Sequence, residues 1–196
     1  MIARRAYRFI KNGMSQVYWS CLGKGIRNPE IPRSPRSILF ICKGNICRSA
    51  YAGRYLRKIG RERNLGGICS SSAGLVVPVS IPSPDLAVQV AKTLGVELTD
   101  HRSKLVTAKM IENTDMIFTM EHRQAMFMRK TFPDHVQKIF LLPLCDMKPP
   151  SIGDYALRYN IPDPYGKSEK DFLECFRKIE SSIDGFLAQS NLLSKP

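Results

Sequence analysis

The sequence has no apolar stretch long enough to cross a membrane and no apolar core typical of a signal peptide. Its six cysteines form no Cys-x-x-Cys pair, and only three histidines are present. These absences argue against zinc and a disulfide framework, and they favour a reducing, cytoplasmic location. Acidic residues are also scarce, since 17 aspartates and glutamates face 30 lysines and arginines, for a formal charge of +13.

Acid is scarcest in residues 1–36, where Glu30 is the single carboxylate, several aromatic residues are interleaved with basic ones, and the segment ends in a proline-rich linker. Three interpretations stay open for it: contact with an anionic membrane surface or a partner, an organelle transit peptide, or a bland extension. We therefore predict two parts, a basic and aromatic N-terminal extension at 1–36 and a folded domain at 37–196.

Hydrophobic patterns predict strands that alternate with helices. The predicted strands cover 38–41, 68–73, 115–120 and 138–142. The predicted helices cover 50–61, 85–94, 107–113, 121–131 and 168–188. Ser83 is the predicted cap of the second helix, with Pro84 at its first position. This alternation indicates an α/β fold of three layers, with a four-stranded parallel sheet flanked by helices.

The stretch 37–49 (SILFICKGNICRS) joins the first strand to the first helix and contains the chemistry of greatest interest. A turn of this length wraps its backbone N–H groups around one anion, and the helix dipole adds positive charge. This environment favours the thiolate of Cys42, which is the nucleophilic form of cysteine. Arg48 offers a planar fork for two phosphoryl oxygens, and Ser49 offers a hydroxyl to the sulfur.

A second segment, 161–166 (IPDPYG), places Asp163 between two prolines. Phosphoryl transfer to a thiolate needs an acid to protonate the departing oxygen and then a base to activate water, and Asp163 is suited to both tasks. Tyr165 beside it offers an aromatic wall for a phenyl ring.

Together these residues resemble the low-molecular-weight protein tyrosine phosphatases. The resemblance rests on five motifs in the family order: CKGNICRS at 42–49, SSAG at 71–74, DHRSK at 100–104, TDMIFTMEHR at 114–123 and PDPYG at 162–166. It implies a phosphate-binding loop after the first strand, a phosphocysteine intermediate, and no metal or organic cofactor. It also implies that Cys42 is the nucleophile, Arg48 the phosphate-binding arginine and Asp163 the general acid.

Further roles follow from the same resemblance. Asn45, Ser72 and His101 are expected to brace the phosphate loop by hydrogen bonds. Cys47 is expected to serve as a redox partner of Cys42, with packing behind the loop as the alternative. The residues expected to contact substrate or phosphate are Lys43, Gly44, Asn45, Ile46, Cys47, Ser49 and Tyr165. Packing is the interpretation for the remaining cysteines, which are Cys21, Cys69, Cys145 and Cys175.

Three departures or alternatives limit what the resemblance implies. The loop at 76–82 lacks the aromatic residue that often forms the second wall of the cleft, and Pro78 or Val79 is expected there. Arginine phosphatases of the same fold have a threonine where Ile46 stands, and Ile46 suits a flat ring better. Arsenate reductases need further cysteines, yet none lies between Cys69 and Cys145.

The predicted partner is a phosphotyrosine-containing protein, and in a bacterium a tyrosine kinase linked to polysaccharide export is the specific hypothesis. Peripheral membrane contact through residues 1–36 is a second hypothesis. A non-catalytic phosphate-binding or membrane-binding module is the alternative from another functional class. Nucleic acid is not an expected partner, because the core shows no recognisable reading helix or basic–aromatic platform.

Overall fold

The computed structural model describes residues 26–146, 155–190 and 192. The hypotheses of a membrane contact or a transit peptide depend largely on residues 1–25, which lie outside the described residues. No helix in the described ranges has the length and apolar character needed to cross a bilayer.

The predicted four-stranded parallel sheet is confirmed. Its strands are β1 (Ser37–Cys42), β2 (Cys69–Gly74), β3 (Met116–Thr119) and β4 (Ile139–Leu141), in the order β2-β1-β3-β4. Phe40, Phe118 and Phe140 stand in register across three strands, and their neighbouring ring centroids are 5.7 Å apart. The carboxyl end of β1, where Cys42 lies, is therefore flanked by the same ends of β2 and β3.

Helices cover both faces of the sheet, which explains why β1, β3 and β4 are almost continuously apolar, whereas the edge strand β2 carries three serines. They are α1 (Arg48–Glu62), α2 (Asp85–Thr93), α3 (Ala108–Glu112), α4 (His122–Thr131), α5 (Tyr155–Tyr159) and α6 (Glu169–Gln189). Two 3-10 turns occupy Pro133–Lys138 and Leu142–Cys145. One core, which includes Phe40, packs α1, α2 and α6 on the sheet, and another, which includes Ile41, packs α3 and α4.

Three expectations about local structure are wrong. The N-cap of α2 is Pro84, and the buried Ser83 hydroxyl has no hydrogen-bond partner among the described residues. Pro84 precedes α2 instead of occupying its first position, so α2 starts at Asp85, as the predicted range has it, and the Ser83 side chain is buried. Cys69 is exposed at the start of β2 instead of packed. Helix α5 was not predicted, because its five residues are too few to show a helical periodicity in the sequence.

The end of the proline-rich linker is fastened to the domain. The Asp115 carboxylate accepts hydrogen bonds from the backbone N–H groups of Arg36 and Ser37, at 2.8 and 2.9 Å. The Asn28 side chain pairs with both backbone groups of Leu141, accepting from its N–H at 2.7 Å and donating to its carbonyl at 3.1 Å. Residues 28–37 therefore run along the sheet rather than away from it.

Candidate active site

The turn between β1 and α1 places the Cys42 sulfur at the centre of a hydrogen-bonded loop. The Asn45 N–H donates to the sulfur at 3.2 Å, and the Ser49 hydroxyl lies 3.0 Å from it. A thiolate can only accept hydrogen bonds, so Ser49 donates to it when Cys42 is ionised. Helix α1 begins at Arg48, two residues earlier than predicted, which brings its positive dipole end closer to the sulfur.

Asn45 stabilises the shape of this loop and is itself hydrogen-bonded to Ser72, Lys104 and His101. It is fully buried with a φ of 55°, the left-handed conformation that asparagine tolerates better than most residues. Its amide nitrogen donates to Ser72 Oγ at 2.9 Å, and its amide oxygen accepts from the Lys104 N–H at 3.0 Å. His101 Nε2 lies 2.7 Å from the Asn45 carbonyl, so this nitrogen carries the proton, since a carbonyl can only accept.

Arg48 is 1% exposed, and some of its five N–H groups are hydrogen-bonded to the protein while others are not. Nη1 donates to Glu121 Oε1 at 2.5 Å and to the Ile161 carbonyl at 3.0 Å, while Nη2 donates to Asp163 Oδ2 at 2.8 Å. Nε has no partner among the described residues. In a guanidinium, Nε–H and one Nη2–H lie along the same edge, and that edge can pair with two oxygens of an oxyanion.

Charge balance keeps the guanidinium ionised in this buried position. Burial opposes the charge of Arg48, but Cys42, Asp163 and Glu121 together raise its pKa above the ordinary arginine value. Removing one member of such a buried cluster leaves the others uncompensated, which is costly.

Glu121 is the functional candidate that sequence reasoning missed. It was interpreted only as the start of a helix, yet it is buried and also accepts from Gln124 Nε2 at 2.9 Å and from Arg123 Nε at 2.6 Å. One general rule and one feature of the fold point to it. A buried arginine requires a carboxylate, and Glu121 follows β3, which ends at the same sheet edge as Cys42.

A cavity of about 200 Å³ opens over the Cys42 sulfur. Its lining brings together most of the predicted contact residues and one that was not predicted, which are Cys42, Lys43, Gly44, Ile46, Cys47, Arg48, Asp163, Tyr165 and Val76. A larger cavity of about 340 Å³ lies behind Asp163, but it contains neither the sulfur nor the guanidinium. Asn45, Ser49, Ser72 and His101 lie beneath the loop and do not line the cavity over Cys42.

The wall opposite Tyr165 differs from the expectation. Pro78 or Val79 was expected there, but Val76 lines the cavity and neither of those residues does. Val76 lies at the cavity because its N–H donates to the Lys43 carbonyl at 2.9 Å. This bond holds the first residues after β2 against the phosphate loop.

Cys47 is buried and is not in a disulfide. Burial, with Asp163 and Cys42 adding to it, raises the pKa of its thiol to about 12. Its redox pairing with Cys42 stays a prediction. Within the described ranges, no group of three or more histidine, cysteine or carboxylate side chains is arranged to hold a metal ion.

Gly74, at the end of β2, gives a first test of how tightly the loop is held. A methyl group added there would lie 2.9 Å from the Lys43 carbonyl oxygen and 2.6 Å from a methyl of Val77. We expect Gly74→Ala to displace the loop, to lower kcat/KM by about tenfold to a hundredfold and to lower the free energy of unfolding by about 1–3 kcal/mol. Steady-state kinetics and urea denaturation measure both.

Gly60→Ala is the matched control, because no heavy atom lies within 4 Å of the added methyl and alanine favours the helix. It should retain full activity. Equal activity and stability in the two variants would show that the contact between Gly74 and the loop is unimportant.

Comparisons with known proteins agree with this geometry. A family model described as low molecular weight phosphotyrosine protein phosphatase matches residues 37–195. The Etp protein of Escherichia coli K12, named a low molecular weight protein-tyrosine-phosphatase, is 34% identical over 144 residues, covering 74% of this chain and 87% of that protein.

Two solved structures are similar over most of the chain. Vibrio vulnificus Wzb in complex with benzylphosphonate has 26% identity and a TM-score of 0.65, covering 79% of this chain and 99% of Wzb. The YwlE arginine phosphatase from Geobacillus stearothermophilus has 26% identity and a TM-score of 0.64, covering 77% of this chain and 90% of YwlE.

Proposed function

Because this chain belongs to the low molecular weight phosphotyrosine protein phosphatase family, whose members are hydrolases, we propose that it hydrolyses phosphotyrosine in proteins at Cys42. One observation carries the proposal: Cys42, Arg48 and Asp163 line one cavity of about 200 Å³. Nucleophile, oxyanion fork and acid are the three parts that phosphate monoester transfer to a thiolate requires.

In the first step, the Cys42 thiolate attacks phosphorus, the sulfur–phosphorus bond forms and the bond from phosphorus to the phenolic oxygen breaks. Asp163 gives its proton to that oxygen, which leaves as tyrosine. In the second step, Asp163 takes a proton from water as the water oxygen attacks phosphorus, and the thiolate departs with the electron pair. The Arg48 fork and the loop N–H groups bind the equatorial oxygens throughout, most strongly where charge develops.

The walls of the cavity favour an aromatic ester. Ile46 and Val76 are apolar, and Tyr165, 62% exposed, adds an aromatic surface at the mouth. Lys43 at the rim favours acidic residues beside the phosphotyrosine. Phosphoarginine is the second candidate substrate, favoured by the likeness to a YwlE structure described as an arginine phosphatase.

The substrate class is a phosphotyrosine-containing protein. Among such proteins, the tyrosine kinase of polysaccharide export is the specific candidate, and it rests on the family resemblance. A cytoplasmic location, peripheral membrane contact through residues 1–36 and a domain boundary at residue 36 also belong to this proposal. The family model supports that boundary, because its match begins at residue 37.

The test compares phosphotyrosine, phosphoserine and phosphoarginine peptides as substrates of the wild type and of Asp163→Asn. We expect turnover of phosphotyrosine alone by the wild type and a decrease of about 10²–10³-fold in Asp163→Asn, because the phenolate then leaves unprotonated. The decrease should be smaller for an aryl phosphate with a more acidic phenol.

Asp134→Asn is the control, because Asp134 is an exposed carboxylate outside the cavity. Faster hydrolysis of phosphoarginine than of phosphotyrosine would favour the second candidate. An equal loss for good and poor leaving groups would contradict the acid role of Asp163.

A further inference from the structure

A second cavity, of about 190 Å³, shares no lining residue with the cavity over Cys42. We call it the basic pocket and define it by Arg54, Arg57, Ser72, His101, Arg102 and Lys104. Arg54 and Arg57 lie one turn apart on α1, while His101, Arg102 and Lys104 come from the segment after α2. The pocket opens to solvent, since three of its four cationic side chains are exposed.

Positive charge in the basic pocket is poorly compensated. Asp100 pairs with Arg54 at 2.8 Å, but this aspartate is itself 70% exposed. Within the described ranges, Arg57, Arg102 and Lys104 form no ion pair. Arg57 and Arg102 are instead anchored by bonds to backbone carbonyls, those of Ser70 and His101, both at 3.0 Å. Within the described ranges each of these guanidiniums makes one side-chain hydrogen bond, so each keeps further N–H groups that can bind phosphate oxygens.

The basic pocket also adjoins the scaffold of the phosphate loop. Three of its residues hold Asn45, because Ser72 accepts from its amide nitrogen, Lys104 donates a backbone N–H to its amide oxygen and His101 bonds its carbonyl. Asn45 in turn donates its backbone N–H to the Cys42 sulfur. These three residues of the basic pocket therefore lie two hydrogen bonds away from the nucleophile.

We propose that the basic pocket binds a phosphate-type oxyanion, and that its occupation lowers turnover at Cys42 through Asn45. The cavity suits such an ion in volume, being about six times the ~30 Å³ share of one water molecule. The sign follows from charge, because a second anion weakens the positive potential that stabilises both the thiolate and the dianionic substrate. The phosphate has two possible sources, free inorganic phosphate or a second phosphoryl group on the substrate protein.

Kinetics with inorganic phosphate at constant ionic strength test the coupling. Binding at the active site raises the apparent KM alone, whereas binding in the basic pocket lowers kcat as well, by about two- to fivefold. We expect the wild type to show this mixed pattern and Arg57→Gln/Lys104→Gln to show competitive inhibition only. The charge-matched control is Arg61→Gln/Lys109→Gln, two exposed residues outside the pocket, which should behave as the wild type.

A doubly phosphorylated peptide identifies the source. If the second phosphoryl group occupies the basic pocket, the wild type hydrolyses the doubly phosphorylated peptide with a lower kcat than the singly phosphorylated one. In Arg57→Gln/Lys104→Gln the two kcat values should be equal. If the two peptides behave alike while inorganic phosphate lowers kcat, the free ion is the ligand. Purely competitive inhibition in the wild type, or a kcat effect that survives the double substitution, would overturn the coupling.

Binding is measured separately from turnover, so that failure of the proposed function and of this inference can be distinguished. Inorganic phosphate is titrated into the Cys42→Ser protein, and backbone amide resonances are followed by NMR. Shifts of the amide resonances of residues 53, 72 and 104 that vanish when Arg57→Gln/Lys104→Gln is combined with Cys42→Ser would support the site, whatever the activity on phosphotyrosine. Shifts confined to amides of the phosphate loop would overturn it.

Discussion

Cys42→Ser is expected to lower kcat for phosphotyrosine by at least about 10⁴-fold, the largest effect of any single change in this protein. A serine hydroxyl is not ionised near neutrality, and the two groups that bond the Cys42 sulfur, Ser49 Oγ and the Asn45 N–H, are not bases that would activate it. The fold and the oxyanion fork remain, so the variant should still bind inorganic phosphate. Stopped assays with phosphotyrosine peptide and a phosphate titration measure the two properties.

Cys69→Ser is the matched control, since Cys69 is exposed at the far end of β2 and should leave activity unchanged. Mass spectrometry of rapidly quenched wild type should detect a phosphoryl adduct on Cys42. Retention of more than about one per cent of activity in Cys42→Ser would contradict a phosphocysteine intermediate.

Arg48→Lys is expected to lower kcat/KM by about 10³-fold although it preserves the charge. A lysine has one ammonium group, which cannot bond Glu121, the Ile161 carbonyl and Asp163 and also present two parallel N–H groups to an oxyanion. The effect should fall on kcat more than on KM, because the bidentate contact strengthens as charge develops in the transition state. Full steady-state curves separate the two constants.

A second readout separates lost chemistry from lost structure in this variant. The buried Glu121 keeps a cationic neighbour in Arg48→Lys, so near-native circular dichroism and a modest decrease in the free energy of unfolding are expected. Arg61→Lys, at the exposed end of α1, is the control for substitution on the same helix. Activity of Arg48→Lys within tenfold of the wild type would show that charge alone, without the planar fork, binds the phosphate.

The burial of Arg48 has a further consequence for the design of the site. The two acids that bond it come from different elements, since Glu121 follows β3 and Asp163 lies on the loop before α6. Glu121 is buried and fixed by Gln124 and Arg123, whereas the Asp163 side chain is 40% exposed. Arg48 is therefore anchored on one side by the buried Glu121 carboxylate and bonds the more exposed Asp163 on the other.

Much of this arrangement was determined by local sequence. The alternation of strand and helix patterns was enough for the four-stranded parallel sheet, because the strands covered on both faces, β1, β3 and β4, show as short apolar runs. The segment 42–49 predicted the phosphate loop for a similar reason, since its thiol, its turn-forming Gly44-Asn45 pair and its arginine act within one turn of chain. The chemistry of such a loop can be predicted from the sequence, because the residues that carry it are neighbours in the chain.

Tertiary structure decided what depends on distant residues. Glu121 is 73 positions from Arg48, and their pairing became visible only when β1 and β3 were adjacent. Val76 took the place expected for Pro78 or Val79, because the residues after β2 are tied to the Lys43 carbonyl. The basic pocket likewise combines α1 with a segment some fifty residues later, about 190 Å³ of space that no local pattern predicts. Contacts such as that between Arg48 and Glu121 are fixed by packing of the whole sheet, and the residues next to either side chain do not specify them.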